Sequence, residues 1–142
     1  MTKALLFIFV LTNLLFNQVS AQELSRRTAE HVLRAFQLQQ DGELSKAISQ
    51  LEIIEPNASY DQAYVARLLG DYYWRDGQPA LAIEQLSESV ALNQLAPQQA
   101  WETRTMLAEI LLNEQEVKVA LKHFEVLLSQ ASQDKVAIVV SP

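Results

Sequence analysis

The chain has 142 residues, with 11 Lys+Arg against 17 Asp+Glu for a formal net charge of −6, and no cysteine. The lack of cysteine excludes a disulfide framework, thiolate metal ligands and the acylated cysteine of a lipoprotein. The acidic balance, with Arg26-Arg27 as the densest basic cluster, argues against nucleic acid or an anionic membrane as partner and favours a basic one.

Lys3, the apolar run Ala4 to Phe16 and then Asn17-Gln-Val-Ser-Ala21 follow the pattern of a secretory signal peptide. Val19 and Ala21 supply the small residues of a cleavage site, so residues 1–21 are expected to be removed after Ala21 and the rest exported, to a periplasm. Retention as an N-terminal anchor is the alternative; Thr12, Asn13 and Asn17 interrupt a run already short for a bilayer. Residues 22–130 then form one domain, followed by a tail, 131–142.

Glycine and proline punctuate this domain into six expected helices. The first runs from Ser25 to Gln40 and closes at Asp41-Gly42; the second runs from Leu44 to Ile54 and stops before Pro56. Ser59-Tyr-Asp-Gln62 has capping-box spacing and opens the third, which runs to Arg75 and closes at Asp76-Gly77. First-turn prolines open the fourth, Pro79 to Leu92, and the fifth, Pro97 to Asn113. After a polar Glu114-Gln-Glu116 turn the sixth runs from Val117 to Ser129, and its stripe Val117, Ala120, Leu121, Phe124, Leu127, Leu128 is expected to be core. Each helix is short enough to be marginal alone, so packing of one hairpin on the next must supply the stability.

The sequence also repeats. Gly42-Glu-Leu-Ser-Lys-Ala47-Ile48 returns 35 residues later as Gly77-Gln-Pro-Ala-Leu-Ala82-Ile83, and Ala120-Leu121 revisits the pattern after a further 38. The middle unit has Leu69-Gly70, Tyr73, the turn Gly77, then Ala82, Leu86 and Ser89. The first keeps Ala35, Leu38, Gly42, Ala47 and Leu51, with His31 and Arg34 where large apolar residues are expected. The third keeps Leu107-Ala108, Leu111, Ala120 and Phe124, with Gln115 in place of the turn glycine.

These residues resemble the tetratricopeptide repeat, a helical hairpin of about 34 residues. The resemblance implies an all-α, right-handed α-solenoid of three hairpins, over residues 28–59, 63–96 and 101–130. In addition, Gln22-Glu-Leu-Ser-Arg-Arg-Thr28 and Leu92-Asn-Gln-Leu-Ala-Pro97 look like segments of exported repeat proteins of Gram-negative bacteria, some of which are associated with the TonB energy-transduction system.

In that family the first helix of each hairpin lines a groove that holds an extended or helical peptide. Carried onto this chain, the groove positions are Val32, Phe36 and Gln39; Tyr64, Arg67, Asp71, Trp74 and Arg75; and Glu102, Thr105, Glu109 and Leu112. The resemblance thus implies a non-enzymatic adaptor for a protein or peptide, with no cofactor. Tyr64 and Trp74 would anchor the ligand and Arg67 and Asp71 would fix its polar groups. The structural alternative is that Trp74 packs on the following turn and the charges are solvated.

No enzyme signature competes with this. His31 and His123 belong to no metal-ligand pairing, Glu84 and Glu88 read as a solvated face, and three glycines make no phosphate loop. The rival class is a self-associating structural protein, a homodimer formed through the C-terminal hairpin. It arises because the tail, with Val136-Ala-Ile-Val-Val140, is expected to fold back on the last stripe, add as a strand or stay loose.

Overall fold

A computed structural model describes the backbone of residues 23–140 and the side chains of residues 23–134; the expected signal peptide and its expected cleavage after Ala21 lie outside the described residues. The described chain is all-helical, with no strand, in six helices: α1 Arg26–Gln40, α2 Leu44–Glu52, α3 Ser59–Arg75, α4 Pro79–Leu92, α5 Pro97–Asn113 and α6 Val117–Val140. Each helix packs on the one before it, most extensively α4 on α3, and one apolar core runs from Val32 and Ala35 through Leu69, Tyr72 and Leu86 to Leu107 and Ala120.

The three hairpins share one turn. The Gly42 amide bonds the Gln39 carbonyl and the Glu43 amide the Leu38 carbonyl; Gly77 and Gln78 do the same to Trp74 and Tyr73, and Gln115 and Glu116 to Leu112 and Leu111. This is the closure that satisfies the last carbonyls of a helix by sending one residue into the left-handed region. That residue is Gly42 at φ 81°, Gly77 at φ 74° and Gln115 at φ 65°. Gln115 therefore holds the geometry without the residue that holds it freely, and the same hairpin recurs three times.

Within and between the hairpins the packing is specific. Ala35, Ala47, Ala63 and Ala82 are fully buried, and within the middle hairpin Gly70 lies so close to the Leu86 side chain that no Cβ fits between them. The buried Ser89 hydroxyl donates to the Ala63 carbonyl at 2.7 Å, a polar pin inside the same contact. The Tyr73 hydroxyl donates to Glu52 at 2.6 Å, tying α3 to the preceding hairpin.

The start of α3 is not capped as expected. Ser59 is not a capping residue: α3 is capped by Ala58 and shows no side-chain cap bond, so the spacing Ser59 to Gln62 falls inside the first turn instead of across its edge. The third residue of that motif has the structural role. Asp61, 1% exposed, accepts hydrogen bonds from the Ser25 amide and hydroxyl, 36 residues away, so a carboxylate on α3 closes the amino end of α1. An anion there is favoured by the unsatisfied amides and the helix dipole. Burial alone would raise the Asp61 carboxyl, but the bonds from the Ser25 hydroxyl, Thr28 and the Ser25 amide outweigh it and hold it below its ordinary value.

The carboxyl end also departs from expectation. The helix does not stop at Ser129 but continues as α6 to Val140, and Val136–Val140 are helical, not a strand, a fold-back or a loose tail. From Val117 to Val140 there is neither glycine nor proline to end it. The stripe on α6 is core only in part: Ala120 and Leu127 are buried and Phe124 partly so, while Val117, Leu121 and Leu128 are exposed. Nothing in the described chain follows α6 to cover them.

Candidate functional site

The first helices of the three hairpins, α1, α3 and α5, are joined side by side by polar contacts. Asp61 links α3 to α1, while Tyr60 to Gln99 at 3.4 Å and Arg67 to Glu102 at 3.1 Å link α3 to α5. The expected groove positions differ in burial. Val32 is buried and belongs to the core, because α1 turns that side toward the first hairpin's interior. Phe36 and Gln39 are half-buried, and Phe36 packs against the core.

On α3, Tyr64, Arg67, Asp71 and Trp74 recur at helical spacing and so lie along one stripe. Tyr64, Arg67 and Asp71 are half-buried, Trp74 is 36% exposed and Arg75 is exposed. Tyr64 leans on Tyr60, with ring centroids 6.0 Å apart and planes tilted by 50°. Burial pushes the Tyr64 phenol above its ordinary value, with Arg67 pulling the other way and Tyr60 adding to the rise. The aromatic end of the stripe is therefore a preformed pair whose faces are partly covered.

The charges on the stripe are paired. Asp71 takes both Nε and Nη2 of Arg75 at 3.1 Å, a bidentate fork on one helix. Arg67 reaches across to Glu102, which also accepts from Gln98 at 2.9 Å, and the Arg67 Nε is buried without an acceptor among the described residues. On α5, Glu109 and Leu112 are exposed, and the Thr105 hydroxyl is turned back onto the Trp101 carbonyl at 2.8 Å. The structure thus brings Arg67, Glu102 and the Asp71–Arg75 pair onto one face, flanked by Tyr64 and Trp74.

Tyr60, Gln98 and Gln99 belong to the same face and were not among the expected residues. Tyr60 had a signal, being four residues before Tyr64 and thus above it on α3. Gln98 had the same signal, four residues before Glu102, whereas Gln99 had none, because its partner Tyr60 lies on another helix.

A separate hollow of about 660 Å³ opens between α4, α5 and the carboxyl half of α6, lined among others by Ser89, Asn93, Trp101, Arg104, Gln130 and Asp134. Arg104 donates from Nη1 to His123 Nδ1 at 3.1 Å, so the imidazole carries its proton on Nε2. Burial, then the Arg104 charge, hold His123 below its ordinary value. Among the described residues no three His, Asp or Glu side chains gather as a metal site, and no helix is long and apolar enough to cross a membrane. Compared with known proteins, the chain matches no family model and no curated sequence.

Proposed function

We propose that this protein is a non-enzymatic, exported adaptor of tetratricopeptide-like hairpins that holds a peptide or protein partner across the α1–α3–α5 layer. The observation that carries this is the α3 stripe. Two large aromatics, Tyr64 and Trp74, stand part-exposed at either end of a line of polar groups on a rigid helix. Aromatic side chains of this kind supply contact area at small entropic cost. The pairs Arg67–Glu102 and Asp71–Arg75 lie between them and fix the polar register of a ligand that exchanges hydrogen bonds with them.

The three identical hairpin turns support the repeat reading, since a recurring unit lays its first helices in one row. The net charge of −6, together with the exposed Glu102 and Glu109 on this face, favours a basic partner and speeds its encounter. A Lys- and Pro-rich envelope segment of a TonB-type complex has that chemistry, and the leader-like pattern of residues 1–21 supports a shared compartment with such segments.

The test is binding of a Lys- and Pro-rich peptide, followed by fluorescence anisotropy, to the wild type and to Tyr64→Ala and Trp74→Ala. Each substitution is expected to weaken binding by a factor of roughly 30 or more, the scale of a hot-spot aromatic, while the helical circular dichroism stays unchanged. Equal affinity in all three proteins contradicts the assignment of the face.

A further inference from the structure

We infer that the hollow between α4, α5 and α6 is a second binding site, one that takes a short acidic sugar, with a uronate ring laid flat on Trp101 and its carboxylate on Arg104. The hollow measures about 660 Å³, within the range of about 300–1,000 Å³ of small-molecule sites. It owes one wall to the part of α6 that the repeat does not require. Leu92, the last residue of α4, lies 15 residues after Gly77, and Gln130 lies 15 after Gln115. Ala131, Gln133 and Asp134, which complete that wall, therefore belong to a stretch of α6 with no counterpart in the other two hairpins.

Arg104 marks the hollow as more than a packing gap. It meets His123 across 19 residues, as His31 meets Gln50 in the first hairpin, so both pairs stand on the same rung. In the middle hairpin that rung carries the buried Ala66, 35 residues after His31 and 38 before Arg104, so packing there needs no charge. The half-buried Arg104 makes no ion pair among the described residues. Its Nη1 is taken by His123, which burial and the neighbouring charge keep neutral and able to accept that bond. The rest of the guanidinium fork is left for an anion, and a carboxylate matches its geometry.

The other lining groups fit a sugar ring. Trp101 is half-buried, while Asn93, Gln130, Gln133 and Asp134 are exposed around it. A pyranose has apolar C–H faces and a perimeter of hydroxyls, so an aromatic floor inside a polar rim matches it. Each amide head sets a donor beside an acceptor, and a carboxylate offers two acceptors; neighbouring hydroxyls, each both donor and acceptor, satisfy such heads in pairs. A phosphate dianion is disfavoured, because Arg104 is the one cation among the described lining residues and Asp134 is an anion on the same hollow. A wholly apolar ligand would desolvate the rim without replacing its hydrogen bonds.

The test is a nitrogen-15 NMR titration of the intact protein with digalacturonate and glucuronate, with galactobiose as a neutral sugar and diglycine as a carboxylate without a ring. A uronate is expected to shift the Trp101 indole and leave that of Trp74 in place. The neutral sugar is expected to bind at least about ten-fold more weakly, the scale of a lost charge-assisted hydrogen bond. Arg104→Gln is expected to erase that difference, and Gln133→Ala, at an exposed position outside the core, to weaken uronate binding by about three-fold or more. No Trp101 shift with either uronate, equal affinity for the neutral sugar, an equal response to diglycine, or either substitution without effect would each overturn the proposal.

Discussion

Replacing Gly70 by alanine places a methyl group where α3 crosses α4. A Cβ built on Gly70 lies 2.5 Å from Leu86 Cγ and 2.6 Å from Leu86 Cδ2, with the Ala82 carbonyl oxygen at 3.3 Å. Carbon atoms settle at about 3.5–4.0 Å, so Leu86 must move by about 1 Å or the helices must part. Leu86 is fully buried and Ala82 beside it also, so neither has free space to move into. Overpacking of this kind costs about 1–3 kcal/mol, and the better helix propensity of alanine returns up to about 1 kcal/mol. The expected net loss is about 1–2 kcal/mol, read in urea as a lower midpoint with an unchanged slope. Leu86→Ala alone is expected to cost about 2–5 kcal/mol, and the double variant to cost less than the sum by at least about 0.5 kcal/mol, because the new methyl fills part of the vacated space. A Gly70→Ala protein as stable as the wild type, or strict additivity with Leu86→Ala, refutes the close crossing.

Three further outcomes follow from the same geometry. Gln115→Gly is expected to stabilise by about 1 kcal/mol, the strain an ordinary residue bears in the left-handed region, while Gly77→Ala is expected to lose a similar amount; urea midpoints check both. Asp61→Ala removes the acceptor that closes α1 and is expected to cost about 1.5–3 kcal/mol. Because the Asp61 carboxyl is held below its ordinary value of 3.8, the wild type's advantage is present above that pH and fades as the pH falls through the lowered value, which denaturation at several acid pH values will follow. Burial, then the bond to Glu52, push the Tyr73 phenol up to about 12 from 10.0. A raised value stabilises the fold below pH 10 and loses that contribution as the pH climbs toward 12, so Tyr73→Phe is expected to flatten this alkaline loss, by about 2–3 kcal/mol at most.

The helices were legible because their ends are marked by residues with few other uses. Pro79 and Pro97 open α4 and α5 at the expected residues, and Gly42 and Gly77 close the turns after α1 and α3. The end of α6 was not legible, since Gln130 to Lys135 carries polar residues compatible with either a helix or a tail, and only the absence of a breaker pointed to the helix that forms. Ser59 had the right spacing for a cap, but the chain enters α3 one residue earlier, at Ala58.

The site was legible as a stripe and not as a network. Tyr64, Arg67, Asp71 and Trp74 share one side of α3 by periodicity alone, and the structure places them so. The reach of Arg67 to Glu102, of Tyr60 to Gln99 and of Ser25 to Asp61 depends on how the hairpins are offset, which local spacing does not encode. The same holds for exposure: Leu121 and Ile48 have equivalent places in their units, and only the presence or absence of a following helix separates them.

The two tryptophans give the most direct test of the adaptor reading, because Trp74 stands on the α3 face and Trp101 lines the separate hollow between α4, α5 and α6. In a nitrogen-15 NMR titration with the Lys- and Pro-rich peptide, the Trp74 indole signal is expected to shift progressively, together with the amides of Tyr64, Arg67 and Glu102, while the Trp101 indole stays in place. A shift of Trp101 alone, or no shift of either indole, would contradict it.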